Sequence, residues 1–263
     1  MKIFLLFTLG LFSSISFADP SFTNITSDDF TNIAKEASAN FTHNSMIGAS
    51  KMGSIFGFQV GVVASQTASP KTNEIVKRNA GSELPNLYNT GIVAAVGIPF
   101  GIAAEVVLLP KVSASGADLS STSFALKYQI NEVIPVLPVN LALRGVYSTS
   151  KFSFSQAISG TTSTVQDNTT VSGLQLLVSP MLPMIEPYAG IGMLTGSNEL
   201  SVTGTSGTIF DSSYSTSQSE KKSVSGTQII LGVEASLAFL KIGAEYSQAF
   251  DSSRIGIKFG MGF

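Results

Sequence analysis

The last nine residues, Ile255 to Phe263 (IGIKFGMGF), place a large apolar side chain at every second position: Ile255, Ile257, Phe259, Met261 and Phe263. Between them stand Gly256, Lys258, Gly260 and Gly262. A β-strand turns successive residues to opposite faces, so this segment has one apolar face and one that is small or charged. Such a strand needs a core or a lipid phase on one side and something polar on the other.

The same two-faced pattern recurs from Gly53 onward, in ten candidate strands near 53–64, 89–98, 101–112, 118–130, 137–154, 170–179, 185–196, 225–238, 240–249 and 253–263. Most match the roughly 9–11 residues that a tilted membrane-crossing strand needs. One face carries rows such as Phe56, Phe58, Val60 and Val62, or Ile229, Leu231, Val233 and Leu237. The opposite face carries Gln59 and Gln175 together with eight charges: Glu105, Lys127, Arg144, Glu234, Lys241, Glu245, Arg254 and Lys258. None of these charges falls on an apolar row. That is the expected segregation if the rows face lipid, where an Arg or Lys at mid-bilayer costs about 2–4 kcal/mol.

Composition decides between water and lipid. Mean hydropathy is +0.32 and only 12% of residues are charged, against about 25% in a soluble domain. Past the N-terminal stretch no run approaches the ~20 apolar residues of a membrane helix. A closed, all-β, antiparallel transmembrane barrel of about ten strands reconciles these facts, because it spreads its hydrophobicity over alternate residues and turns them outward. A soluble β-sandwich would have to bury the same rows between two sheets. Their even spread over ten strands and the scarcity of charge count against it.

The connections alternate in length. Those after the first, fifth and seventh strands are long and polar (65–88, 155–169, 197–224), whereas those after even strands are tight, as at Ile98-Pro99-Phe100-Gly101 and Pro180 to Pro183. Long loops on one side and short turns on the other are the habit of membrane barrels, with the short turns periplasmic. An even strand number then leaves both termini on the periplasmic side. With no Trp in the chain, an interfacial girdle has to rest on Tyr88, Tyr128, Tyr147, Tyr188, Tyr246, Phe152 and Phe154.

The N-terminus reads as a signal peptide over residues 1–18: Lys2, the apolar stretch Ile3 to Phe12, and the small-x-small site Ser16-Phe17-Ala18. Residues 19–52 form a periplasmic segment with one short amphipathic helix of about four turns. Ser27 is its N-cap, Asp28 and Asp29 suit its first turn, and Phe30, Ile33, Ala34, Ala37 and Phe41 form its apolar stripe. The periplasmic mouth or the lumen would cover that stripe. The barrel then occupies 53–263.

No catalytic, metal or cofactor motif emerges. The chain has no Cys, which excludes disulfide scaffolds and zinc–thiolate sites. Its one histidine, His43, lies in the pre-barrel segment and is expected to be exposed at the helix end. A net charge of −2 with pI 5.4 lacks the basic patch that nucleic acid requires. The glycines of 190–192 and 256–262 relieve crowding inside a small barrel or permit strand coiling. The eight inward charges are the one constellation. They either pair and hold the barrel shut or line a narrow pore; the paired arrangement is favoured because a ten-strand interior is little wider than one that side chains fill.

Strand rhythm, loop asymmetry and the terminal Phe263 together resemble small Gram-negative outer-membrane β-barrel proteins over residues 53–263. The short helix before the barrel is similar to uncharacterised families among them. The resemblance implies residence in the outer membrane in contact with its lipid. It makes Phe259, Met261 and Phe263 the signal read by the barrel assembly machinery. It further implies a non-enzymatic structural or transport role with a narrow or plugged lumen, a small apolar solute being the candidate cargo. The alternative is a surface adhesion or interaction protein acting through loops 65–88 and 197–224.

Overall fold

The structure, a computed structural model, describes residues 21–53, 55–79, 81, 83–114, 116–158, 160–204, 207–211, 214 and 218–263. The signal-peptide reading of residues 1–18 lies outside the described residues. Ten antiparallel strands close into one barrel in which each pairs with its neighbours in sequence and the last pairs with the first. They are β1 (Gly57–Ala68), β2 (Asn86–Ile98), β3 (Ile102–Ala114), β4 (Ala117–Gln129), β5 (Val139–Ile158), β6 (Thr161–Pro180), β7 (Ile185–Thr203), β8 (Ser219–Leu237), β9 (Leu240–Ala249) and β10 (Ser252–Gly262). Helix α1 (Ser27–Phe41) precedes the barrel, and a second helix, α2 (Pro70–Arg78), stands in the connection from β1 to β2.

Alternation sets which residues face where. In β10, Ile257 is 59% exposed on the outside while its neighbour Lys258 is 2% exposed inside. The seam is closed by a β1–β10 register that pairs Val62 with Phe259. Gly61 and Gly260 face each other there so closely that a Cβ on either would strike the other strand's backbone.

Strand lengths divide the barrel. β1 to β4, β9 and β10 have 10–13 residues, whereas β5 to β8 have 19 or 20. Twenty residues at ~3.4 Å, tilted by ~40°, rise about 50 Å. That is twice the ~25 Å apolar band of a membrane barrel, so these four strands stand as a wall beyond it. The extra length is polar outside, with Lys151, Thr164, Glu199 and Lys221 exposed. Segments 155–158, 161–169, 197–203 and 219–224, read above as loop, are therefore strand. Their inner faces bury Ile158, Val165, Leu200 and Val202, and this supplies the stabilisation that their Ser- and Thr-rich outer faces conceal.

Behind the wall lies an apolar core that joins Phe22, Ile25, Phe30, Ile33, Ile75, Val76, Phe154, Leu200 and Phe210. Helix α1 enters it through a capping box one residue earlier than the sequence implied: Thr26 is the cap, bonded reciprocally with Asp29. The apolar stripe of α1 is buried inside the barrel, the lumenal of the two covers open to it, with the Phe30 and Phe210 rings 6.1 Å apart. Three residues assigned to the interfacial girdle also face inward. Tyr188 and Phe154 are buried, and Phe152 packs against the inner core, because strand parity puts them on the same face as the lumenal charges.

Candidate functional site

Of the two places open to the pre-barrel segment, the periplasmic mouth and the lumen, it takes the lumen. At the end of the long connections, Ile25 forms a bridge to Phe210, the amide of Gln156 clasps the Phe22 main chain at 2.8 and 2.9 Å, and Arg78 of α2 pairs with Asp29 at 2.5 Å. At the end of the short turns, Ser50 bonds Glu186 and Lys51 pairs with Glu132 at 2.8 Å. The chain thus crosses the whole barrel before β1 begins at the short-turn end.

Between those ends, helix α1 stops at Phe41 and a non-helical stretch continues, losing the carbonyl partners that a helix supplies itself. The barrel wall replaces them. Arg254 donates to the carbonyls of Ala39 and Thr42 at 3.3 and 2.7 Å, and Lys258 to Met46 at 2.6 Å. Arg144 donates to Ile47 at 3.3 Å, and Lys127 to Gly48 and Ser50 at 2.7 and 3.0 Å. Four buried cations therefore hold six carbonyls in chain order. Gly48 suits this close passage, since a Cβ there would displace the Glu186 carboxylate.

The carboxylates complete the set. Glu234 meets Lys258 at 2.6 Å and Lys241 at 3.7 Å. Glu105 lies 3.5 Å from Arg144, and Glu245 lies 3.6 Å from Arg254 while accepting the Tyr188 hydroxyl at 2.9 Å. All eight inward charges read from the sequence thus point into the lumen, but they form three clusters rather than one network, and Lys127 gives its hydrogen bonds to the plug. Phe259, Met261 and Phe263 lie on the exterior; the Phe263 ring packs edge-on against Phe58 at 4.2 Å, and the two main chains exchange hydrogen bonds across the seam.

Sequence reasoning missed His43, Ser45, Glu186, Tyr188 and Gln228. His43 is buried, not exposed: Nδ1 sits 2.9 Å from Ser123 Oγ and Nε2 sits 3.2 Å from Glu105 Oε2. Hydroxyl, imidazole and carboxylate in that order resemble a nucleophile relay. Here all three are enclosed between plug and wall, and the same Glu105 oxygen accepts from Ser45, so the arrangement anchors the plug. Among the described residues no group of His, Asp and Glu is placed to hold a metal ion.

Outside the membrane-depth region, two carboxylates tie α1 to the loop helix. Burial alone would raise the Asp29 carboxyl, but the Arg78 guanidinium and the Thr26 amide and hydroxyl hold it below its ordinary value. Glu36 is pushed up by burial, although it accepts the amides of Lys71 and Thr72 at 2.9 and 2.8 Å in the first turn of α2.

A closed antiparallel barrel that is apolar outside, charged inside and threaded by its own N-terminal segment belongs to the class of integral outer-membrane β-barrels. Within that class the chain belongs to the family described as a family of unknown function (DUF6588), whose pattern it matches over residues 1–261. No curated protein matches the sequence. Among solved structures it is similar to the translocator domain of the autotransporter NalP from Neisseria meningitidis, at 11% identity over 81% of this chain and 90% of that one, with a TM-score of 0.47. It is also similar to the outer membrane protease OmpT from Escherichia coli, at 8% identity over 82% and 99%, TM-score 0.43. A third likeness is to Ail, the attachment invasion locus protein of Yersinia pestis, at 10% identity over 79% and 97%, TM-score 0.38. These likenesses extend to the barrel and no further.

Proposed function

We propose that the protein is a non-enzymatic barrel of the Gram-negative outer membrane, sealed by residues 21–52, that presents the polar wall of β5 to β8 at the cell surface as a structural or interaction element. The observation that carries this reading is the ladder of six plug carbonyls bonded by Arg254, Lys258, Arg144 and Lys127. Hydrogen bonds to charged groups contribute about 1.5–3 kcal/mol each. A plug held by this many is a resting part of the barrel rather than a loose gate. A small apolar solute would also meet a wall of charge at membrane depth, which counts against a transport role. In this reading Phe259, Met261 and Phe263 at the closing seam serve assembly.

The test uses the absence of native cysteine. Ser38 on α1 lies 3.0 Å from Asn198 on β7, so Ser38→Cys with Asn198→Cys should lock the plug by a disulfide. In planar bilayers the locked and reduced proteins should both be silent. Conductance that appears on reduction and disappears on oxidation would replace the sealed barrel with a gated channel.

A further inference from the structure

The direction of threading sets the end of the barrel at which residues 21 to 35 stand. Four contacts fix Phe22 to Lys35 to the long-connection end: Phe22 to Gln156, Ile25 to Phe210, Asp29 to Arg78 and Lys35 to Asp251, the last at 2.7 Å in the turn from β9 to β10. These partners belong to four different connections or strand ends, so no single loop placement decides the matter. Three more contacts fix Gly48 to Lys51 to the opposite end: Lys127 to Gly48, Glu186 to Ser50 and Glu132 to Lys51. The segment therefore passes the membrane once more than the ten strands do.

The cations bond main-chain carbonyls at Ala39, Thr42, Met46, Ile47, Gly48 and Ser50, which every residue possesses, and the side chains of His43, Ser45 and Ser50 add anchors of their own between them. Room for the passage comes from wall residues that lack a side chain. A Cβ on Gly196 of β7 would collide with Ser38, and one on Gly256 of β10 with Met46. A lumen that bonds carbonyls along the segment and is relieved by glycines opposite Ser38 and Met46 is fitted to an extended chain passing end to end.

We propose that the barrel conducts its own N-terminal segment outward, so that Ser21 to Thr26 stand at the outer face and a peptide joined ahead of them is displayed there. This rests on the outer-membrane reading above, with the long connections outside. The chain has no cysteine, so single-cysteine variants of the full chain can be probed with a membrane-impermeant maleimide on intact and permeabilised cells. Thr23 and Asp28 are exposed positions on the segment, Thr164 is an exposed position on the wall of β6, and Val136 is 86% exposed in a short turn.

Thr23→Cys and Asp28→Cys should label on intact cells as fully as Thr164→Cys, with Val136→Cys labelling only after permeabilisation. An epitope inserted immediately before Ser21 should likewise bind antibody on intact cells and be lost to external protease. Labelling of Thr164→Cys but not of Thr23→Cys or Asp28→Cys on intact cells would overturn outward threading while leaving the membrane placement standing. Labelling of Val136→Cys with protection of Thr164→Cys would overturn the placement, and outward display with it.

Discussion

Lys258 on β10 reaches Glu234 on β8 at 2.6 Å by lying across Gly243 of the intervening β9, the residue in register with both. The same device occurs twice more. Tyr188 of β7 reaches Glu245 of β9 across Gly232, and Gln175 of β6 reaches Gln228 of β8 across Gly192 at 2.6 Å. Neighbouring strands are ~4.8 Å apart, so groups two strands away are normally screened by the side chain between them. An inward glycine removes that screen, and two polar groups meet with their charges satisfied close to the wall, leaving the axis to the plug.

The three glycines should not tolerate substitution equally. A Cβ on Gly232 would collide with the rigid Tyr188 ring, whereas one on Gly243 would come within 3.2–3.5 Å of the flexible Lys258 stem and Met46. Gly232→Ala should therefore lower the melting temperature in detergent by the equivalent of about 1–3 kcal/mol, as overpacking does. Gly243→Ala should cost less than about 1 kcal/mol, since an extended lysine can shift by the few tenths of an ångström required. Equal losses at both would mean that the glycines serve the backbone and not the contacts above them.

Removing one partner of a buried pair leaves the other desolvated and unpaired, at a cost of about 3–5 kcal/mol. Glu234→Ala strands Lys258, which among the described residues keeps the Met46 carbonyl at 2.6 Å and Gln59 at 3.3 Å. Urea unfolding should show that loss, with no gain of ion conductance in planar bilayers. A stable variant with altered conductance would show that water already fills the lumen around these charges.

The contact between α1 and α2 should respond to pH with two opposed limbs. Asp29 is held below its ordinary value, so its contribution is present above that value and is lost as pH falls through the lowered one. Glu36 is raised, so the folded state favours its protonated form; that contribution is full below the ordinary glutamate value and is lost as pH rises through the raised one. Hydrogen exchange of the Lys71 and Thr72 amides reads the docking directly. Asp29→Asn should flatten the acid limb alone, and Glu36→Gln the upper limb alone.

The period of two made the barrel legible, since all ten strands and the inward side of all eight charges follow from it. The same parity carried information that aromatic character masked: Phe154 lies ten residues from the inward Arg144 on β5 and must share its face. The wall was less visible because its outer positions are Ser and Thr, which resemble loop until the buried partners at Val165 and Leu200 are known. A plugged lumen was among the readings the sequence allowed, but the path of residues 42–50 through it was not legible. From Thr42 to Ser50 five carbonyls are bonded by the wall, and a carbonyl leaves no mark on the choice of side chain; the side-chain anchors His43, Ser45 and Ser50 follow no period that would mark them.

The height of the apolar band can be tested within one strand and one face. On β6, Leu176 lies on the lipid-facing row, and Gln166 lies ten residues along the same face, beyond the apolar positions. Ten residues at ~3.4 Å with a ~40° tilt separate them by about 26 Å along the membrane normal, more than half a bilayer. Leu176→Arg should destabilise the barrel by about 2–4 kcal/mol if it sits near the midplane, whereas Gln166→Arg should cost less than about 1 kcal/mol. Heat-modifiable migration of the two variants, scored against temperature in lipid vesicles, measures the difference. If both arginines were tolerated alike, β6 would not cross the bilayer at Leu176, and the wall would begin lower than its polar surface indicates.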